Sequence, residues 1–113
     1  MGPDWYCDEV IPGRADVEVL VRTANTLAFR PPLPGFGVDH VIVIPIGHVS
    51  SLLELDDDLA LELLATVKAV ARQAVDRHGG CQVLTTLGDE QHNRHLHWHV
   101  AVGEGVARFV RRG

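Results

Sequence analysis

The sequence predicts an α+β fold, an antiparallel sheet of about five strands with one long helix packed on a face. Two observations carry this expectation. Short β-branched and apolar runs recur along the chain between turn residues. One longer stretch, 56–78, repeats its apolar residues at helical spacing. The order is two strands, a third strand, the helix, then two more strands. No repeat, low-complexity segment or linker interrupts it, so 1–113 reads as one domain, with its core at about 7–102 and a short basic tail at 103–113.

Taken in order, Pro12-Gly13 marks a turn. Val17 to Val21 alternates loosely and reads as a strand. Thr23-Ala24-Asn25 is a tight connection into a second strand that ends at Arg30. Pro31, Pro32 and Pro34 then forbid regular structure, because proline fixes φ and removes a donor. The stretch 31–37 is therefore a stiff loop, either a connector or a pocket wall. Val38 to Pro45 is a β-branched central strand. Ser50 and Ser51 suit the cap of a short turn at Leu52-Leu53. Asp56, Asp57 and Asp58 suit a helix N-terminus, where carboxylates meet the positive end of the dipole. Leu59, Leu63, Val67, Val70 and Ala74 form the buried stripe. Arg72, Arg77 and His78 complement the helix C-terminus, which Gly79-Gly80 stops. Cys81 to Thr86 reads as the fourth strand, 87–94 as a polar loop and His95 to Val102 as the fifth strand.

Composition narrows the function. The chain has 113 residues, 46% hydrophobic and 22% charged, with a formal net charge of −5. An acidic balance argues against general nucleic-acid binding. No apolar run approaches the ~20 residues that span a membrane. The first residues lack the basic and apolar regions of a signal peptide, so a cytoplasmic location is expected. Two cysteines make no disulfide framework, and Cys81 reads as core.

The chemistry lies in His95-Leu96-His97-Trp98-His99-Val100. In a strand the three histidines share one face, and Leu96, Trp98 and Val100 fill the other. Alternate residues sit ~6.5–7 Å apart, so one metal ion does not easily take all three. Two neighbours can still serve as ligands, or the middle imidazole can react while its neighbours position it and move protons.

The pattern resembles the histidine-triad (HIT) superfamily of nucleotide hydrolases and transferases. The likeness extends beyond the triad. Gln91 lies four residues before His95, Leu27-Ala28-Phe29 resembles the family's second strand, and His40-Val41-Ile42-Val43-Ile44-Pro45 followed by Gly47-His48-Val49 resembles its next segment. The resemblance implies His97 as nucleophile, flanked by His95 and His99. It implies a nucleotide or phosphate site that includes Gln91, His40, Phe29, Thr86 and Gly88. Gln91 and the backbone of the 88–92 loop would donate to phosphoryl oxygens. It also implies a homodimer and a small nucleotide substrate, adenosine favoured, with neither nucleic acid nor membrane as partner.

The departures are specific. Pro31 stands where many members carry the aspartate that binds the ribose. Thr86 replaces a usual asparagine. His92 replaces a Ser or Thr near the leaving group, as either a general acid or an exposed loop residue. Part of the family holds a structural zinc with Cys-x-x-Cys and two histidines. The matching set here is Asp4, Cys7, His48 and His95. Because one thiolate is lost, the sequence favours a site without zinc, and catalysis requires no cofactor. The leading expectation is cleavage at the α-phosphorus of a nucleoside monophosphate conjugate through a nucleotidyl-His97. The alternatives are a metal-dependent protein with triad ligands and a non-catalytic nucleotide-binding module.

Overall fold

The computed structural model describes residues 4–32 and 38–103. It contains five strands, β1 (Glu18–Arg22), β2 (Thr26–Arg30), β3 (Val38–Pro45), β4 (Gln82–Thr85) and β5 (Trp98–Val102), and one long helix, α1 (Asp57–His78). The strands form one antiparallel sheet in the order β1-β2-β3-β5-β4. The predicted α+β class is therefore correct. None of the described helices is long and apolar enough to cross a membrane.

α1 starts and stops where its sequence says it should. The Asp56 side chain accepts the Leu59 N–H at 2.8 Å, and Asp57 and Asp58 occupy the first turn. Gly79 adopts φ 84°, a left-handed conformation that favours glycine, and its N–H reaches the Val75 carbonyl. Leu63, Val67, Val70 and Ala74 are buried as the stripe predicts, with Leu59 at its half-buried edge. Ser51 caps the single 3₁₀ turn Leu52–Glu54 by accepting the Leu53 N–H.

The sheet separates two cores. On the α1 side, Ala28, Val41, Val43, Leu96 and Val100 pack with Leu63, Val67, Val70 and Ala74. On the other side, Leu27, Phe29, Ile42 and Ile44 pack with Tyr6 and Val10. Those last two residues belong to a π-helical turn, Tyr6–Val10, that the sequence reading did not foresee. Asp4 caps this turn, its Oδ1 accepting the N–H groups of Tyr6 at 3.0 Å and Cys7 at 3.1 Å.

Two long-range ties fix α1 on the sheet. Glu62 accepts from Thr23 Oγ1, Asn25 N and Asn25 Nδ2, holding the β1–β2 turn. Asp39, at φ 57°, binds Arg30, Arg77 and His78. Arg77 and His78 thus act through a β3 carboxylate as well as through the helix end. His78 is structural, as its sequence context implies. Of the stiff loop 31–37, only Pro31 and Pro32 are described. Residues 33–37, and all of the basic tail after Gly103, lie outside the described residues.

Candidate active site

β5 is shorter than its sequence suggests. Regular pairing begins at Trp98, so His95 and His97 precede the ladder. The alternation nevertheless holds upstream, because the Leu96 N–H donates to the Val49 carbonyl at 2.7 Å and keeps the segment extended. Leu96 enters the α1-side core, while His95, His97 and His99 are buried on the opposite side at 0%, 4% and 6% exposure. Ile42 of β3 lies in register with His99, so an aliphatic strand walls the histidine row.

Each imidazole has a defined neighbour. The His97 Nδ1–H donates to the His95 carbonyl at 2.7 Å. A carbonyl only accepts, so Nδ1 carries the hydrogen and Nε2 keeps a free lone pair. Thr85 Oγ1 donates to the His97 carbonyl at 2.8 Å and fixes the same peptide from β4. His99 Nδ1 and His40 Nε2 are 2.9 Å apart, their rings stacked at 5.1 Å. The His97 and His99 rings meet edge to face at 5.0 Å. Burial holds all three neutral. It pushes His40 down to about 4 and His99 to about 3, with nearby His97 adding to both, and it lowers His97 as well. A neutral imidazole is the form that can act as a nucleophile.

The Tyr6 ring lies over this row, 5.4 Å from His95 and 5.2 Å from His97. Trp5 and Phe29 flank it at 5.3 and 6.1 Å. Phe29, an expected nucleotide contact, is fully buried, so any effect it has on a ligand passes through the Tyr6 and Trp5 rings that pack on it. Neither Tyr6 nor Thr85 was singled out in the sequence. An aromatic near the N-terminus and a Thr at a strand end are too common to stand out there.

His95 belongs to a second constellation. Its Nε2–H donates to the Pro45 carbonyl at 2.9 Å, which turns Nδ1 towards the N-terminal turn. That Nδ1 faces Asp4 Oδ2 at 2.9 Å and Cys7 Sγ at 3.4 Å. His48 Nδ1 reaches the same Asp4 oxygen at 2.7 Å and Cys7 Sγ at 3.8 Å. All four ligand atoms lie within 4.8 Å of one another. The four residues named from the resemblance do converge, and a donor set of one thiol, two imidazoles and a carboxylate fits zinc. Burial opposes ionisation of Asp4, but hydrogen bonds from His95 and Cys7 outweigh it and hold the carboxyl well below its usual range. Burial and the Asp4 carboxylate push the Cys7 thiol up to about 11.

The remaining candidates divide. Gln91 Nε2 donates to the carbonyls of Ser50 at 2.8 Å and Asn93 at 3.3 Å, so its amide hydrogens are engaged in holding the loop. Its Oε1 is buried without a partner among the described residues, which makes the free atom an acceptor where a phosphate donor was expected. His92 is exposed, yet close enough for its charge to depress both His97 and His99. Thr86 is half-buried beyond the end of β4, and Gly88, at φ 60°, opens the 3₁₀ turn Gly88–Glu90.

The fold is shared with solved structures. A histidine triad nucleotide-binding protein described as hypothetical, from Sulfolobus tokodaii, is 28% identical, with TM-score 0.77 over 85% of this chain and 66% of its own. One from Candida albicans is 27% identical, with TM-score 0.73 over 87% and 73%. A HIT family hydrolase from Legionella pneumophila, 24% identical, has the same fold with TM-score 0.73 over 88% and 91%. No curated protein matches the sequence. The model of the family described as proteins similar to the CwfJ C-terminus matches residues 14–105. With its row of buried histidines, its helix-backed sheet and that match over most of its length, the chain belongs to the CwfJ C-terminal-like family of the histidine-triad superfamily.

Proposed function

We propose that this protein is a HIT-type hydrolase or transferase that cleaves nucleoside monophosphate conjugates at the α-phosphorus. The single observation that carries this reading is the 2.7 Å hydrogen bond from His97 Nδ1 to the His95 carbonyl, which leaves Nε2 as the attacking nitrogen. His97 Nε2 forms a bond to phosphorus as the bond to the leaving group breaks. The leaving group takes the electron pair and is protonated by His92. Positive charge that develops on the His97 ring is stabilised through Nδ1–H by the His95 carbonyl. Water then attacks the nucleotidyl-His97 and gives a proton back to the imidazole that protonated the leaving group, the P–N bond breaks, its electron pair returns to Nε2, and the monophosphate departs. In the transferase variant, a second acceptor takes the place of water.

The nucleoside would lie against the half-buried Trp5 ring, with adenine as the favoured base. A second copy is part of this reading. Val83 on β4, at the sheet edge, is 42% exposed, and a partner strand there would cover it. The names of the Candida and Legionella proteins, nucleotide-binding and hydrolase, support the same chemistry. Metal chemistry at the triad has less support, because the potential ligand group among the described residues takes only His95 from it.

The test is a screen of adenosine and guanosine phosphoramidates, acyl-phosphates and dinucleoside polyphosphates, following release of the nucleoside monophosphate. Release from at least one class, together with a trapped phosphorus–histidine adduct on His97, is expected. Tight binding of the monophosphate without turnover of any class would favour the binding module.

A further inference from the structure

β3 is irregular just before it reaches the histidine row. Val38 pairs with Val102 of β5 and Val41 with Val100, so β3 carries one residue more than β5 between these pairs. An extra residue of this kind is a β-bulge, which bends a strand and re-aims a side chain. Asp39 sits in the bulge at φ 57° and is alone among the described non-glycine residues in taking a positive φ. That conformation is sparsely populated for a residue with a side chain, and it persists where the surroundings hold it. Here they hold it through the carboxylate. Asp39, its side chain 12% exposed, accepts from Arg30 of β2, and from Arg77 and His78 of α1 at 3.2 Å each. Arg30 is itself paired with Glu18 of β1 at 3.3 Å. The Arg30 hydrogen bond outweighs the cost of burial and holds the Asp39 carboxyl below its usual range, so it stays charged.

The next residue is His40. Its Nε2 meets His99 Nδ1 at 2.9 Å, with the rings stacked. One of these two nitrogens donates and the other accepts, and that choice sets what the second nitrogen of His99 presents to a phosphoryl group. We propose that Asp39 is a positioning residue, fastened by Arg30, Arg77 and His78, and that it locks the bulge that sets His40 on His99. Its consequence for turnover rests on the phosphoryl-transfer reading above, whereas the lock itself does not. Glu62, the other tie between α1 and the sheet, has no such reach. Its partners, Thr23 and Asn25, lie in the β1–β2 turn.

The first readout is taken without substrate. In the full chain labelled with nitrogen-15, the hydrogen shared by His40 and His99 is expected as a slowly exchanging ring N–H signal at neutral pH, assigned by its loss in His40→Gln. Asp39→Val should lose the signal, because a β-branched residue strongly disfavours a positive φ. Asp39→Asn tolerates the left-handed region and still accepts hydrogen bonds, so it should keep the signal. Arg77→Gln combined with His78→Gln removes two of the three ties from the exposed end of α1, and should speed exchange of the signal about tenfold. This double variant decides the matter if Asp39→Val does not fold. Glu62→Gln should lower stability and leave the signal unchanged. With a nucleotide conjugate that the wild-type chain turns over, Asp39→Val should lower kcat about tenfold or more with KM within about twofold, and Asp39→Asn should stay near wild type.

No such signal in the wild-type chain, a signal unchanged in both Asp39→Val and the double variant, or one lost equally in Glu62→Gln would overturn the lock. A lost signal with unchanged kcat in Asp39→Val would overturn its role in turnover. If the wild-type chain releases no monophosphate from any conjugate, the phosphoryl-transfer reading falls, and the ring N–H signal still decides the lock.

Discussion

On one face of the sheet, Ala28, Val41, Val43 and Val100 meet Leu63, Val67, Val70 and Ala74 of α1. On the other, Ile42 stands in register with His99, and Tyr6 lies on the rings of His95 and His97. The same segment serves both faces, contributing Leu96 and Val100 to the first and three buried histidines to the second. The aliphatic face is satisfied by burial alone, at about 25 cal/mol per Å² of apolar surface. The histidine face pays for its burial with His40, His97 and His99 held neutral, and recovers part of that cost through directed hydrogen bonds to Pro45, His95 and His40. Stability should therefore respond to volume on one face, and function to the identity of single nitrogens on the other.

The strongest way to break this contrast is to change one atom set on the histidine face. His97→Asn can keep donating to the His95 carbonyl but has no nucleophilic Nε2. We expect kcat/KM to fall at least about a thousandfold with native circular dichroism retained. The burial of His97, at 4% exposure, is the reason for choosing Asn over Ala, which would leave a cavity. Near-normal turnover would remove His97 from the mechanism.

The converse experiment is Leu63→Ala on the aliphatic face, where Leu63 is fully buried. The cost should be about 2–5 kcal/mol in urea unfolding, with kcat of the folded fraction unchanged. A matching loss of kcat would mean that the faces are coupled.

Thr85→Val tests the join between them, because Thr85 Oγ1 holds the His97 carbonyl. A loss of about 0.5–1.5 kcal/mol in stability is expected, with a larger fall in kcat than change in KM. An effect on stability alone would make this bond merely structural.

Selectivity gives a smaller difference. Pro31 cannot offer the carboxylate contact to a ribose, which as a charged hydrogen bond is commonly worth about 1.5–3 kcal/mol. Matched adenosine and 2′-deoxyadenosine phosphoramidates should therefore differ by less than about tenfold in kcat/KM. A preference of about a hundredfold or more for ribose would show that another group has taken over the contact.

The mildest effect is on pH. Burial lowers His40 from 6.5 to about 4 and His99 to about 3. Below about pH 6.5 the unfolded chain takes up protons that the folded chain refuses, so stability falls as pH drops towards 4. Unfolding midpoints between pH 7 and 4.5 should decline, and His40→Gln should flatten the decline. A rise in stability on acidification would contradict neutral burial.

Much of this was legible in the sequence. The helix limits followed from Asp56 and Gly79, whose capping roles depend on local geometry alone. The sharing of one face by His95, His97 and His99 followed from strand alternation, even though regular pairing starts only at Trp98. The Tyr6–Val10 turn was not legible, because its only strong signal is an Asp4 cap on five residues without helical periodicity. Gln91 was read as a phosphate donor, but the carbonyls that take its hydrogens, Ser50 and Asn93, leave no mark in side-chain identities.

The sequence by itself determined the fold class, the strand and helix content and which histidines share a face, because periodicity and caps act within a few residues. Only the tertiary structure decided which nitrogen of His97 is free, that Tyr6 lies over the triad, and that Asp4 and Cys7 reach His48 and His95 across separations of up to 91 residues. Those facts depend on where backbone carbonyls and distant side chains come to rest, and that is settled only when the sheet and its two cores pack.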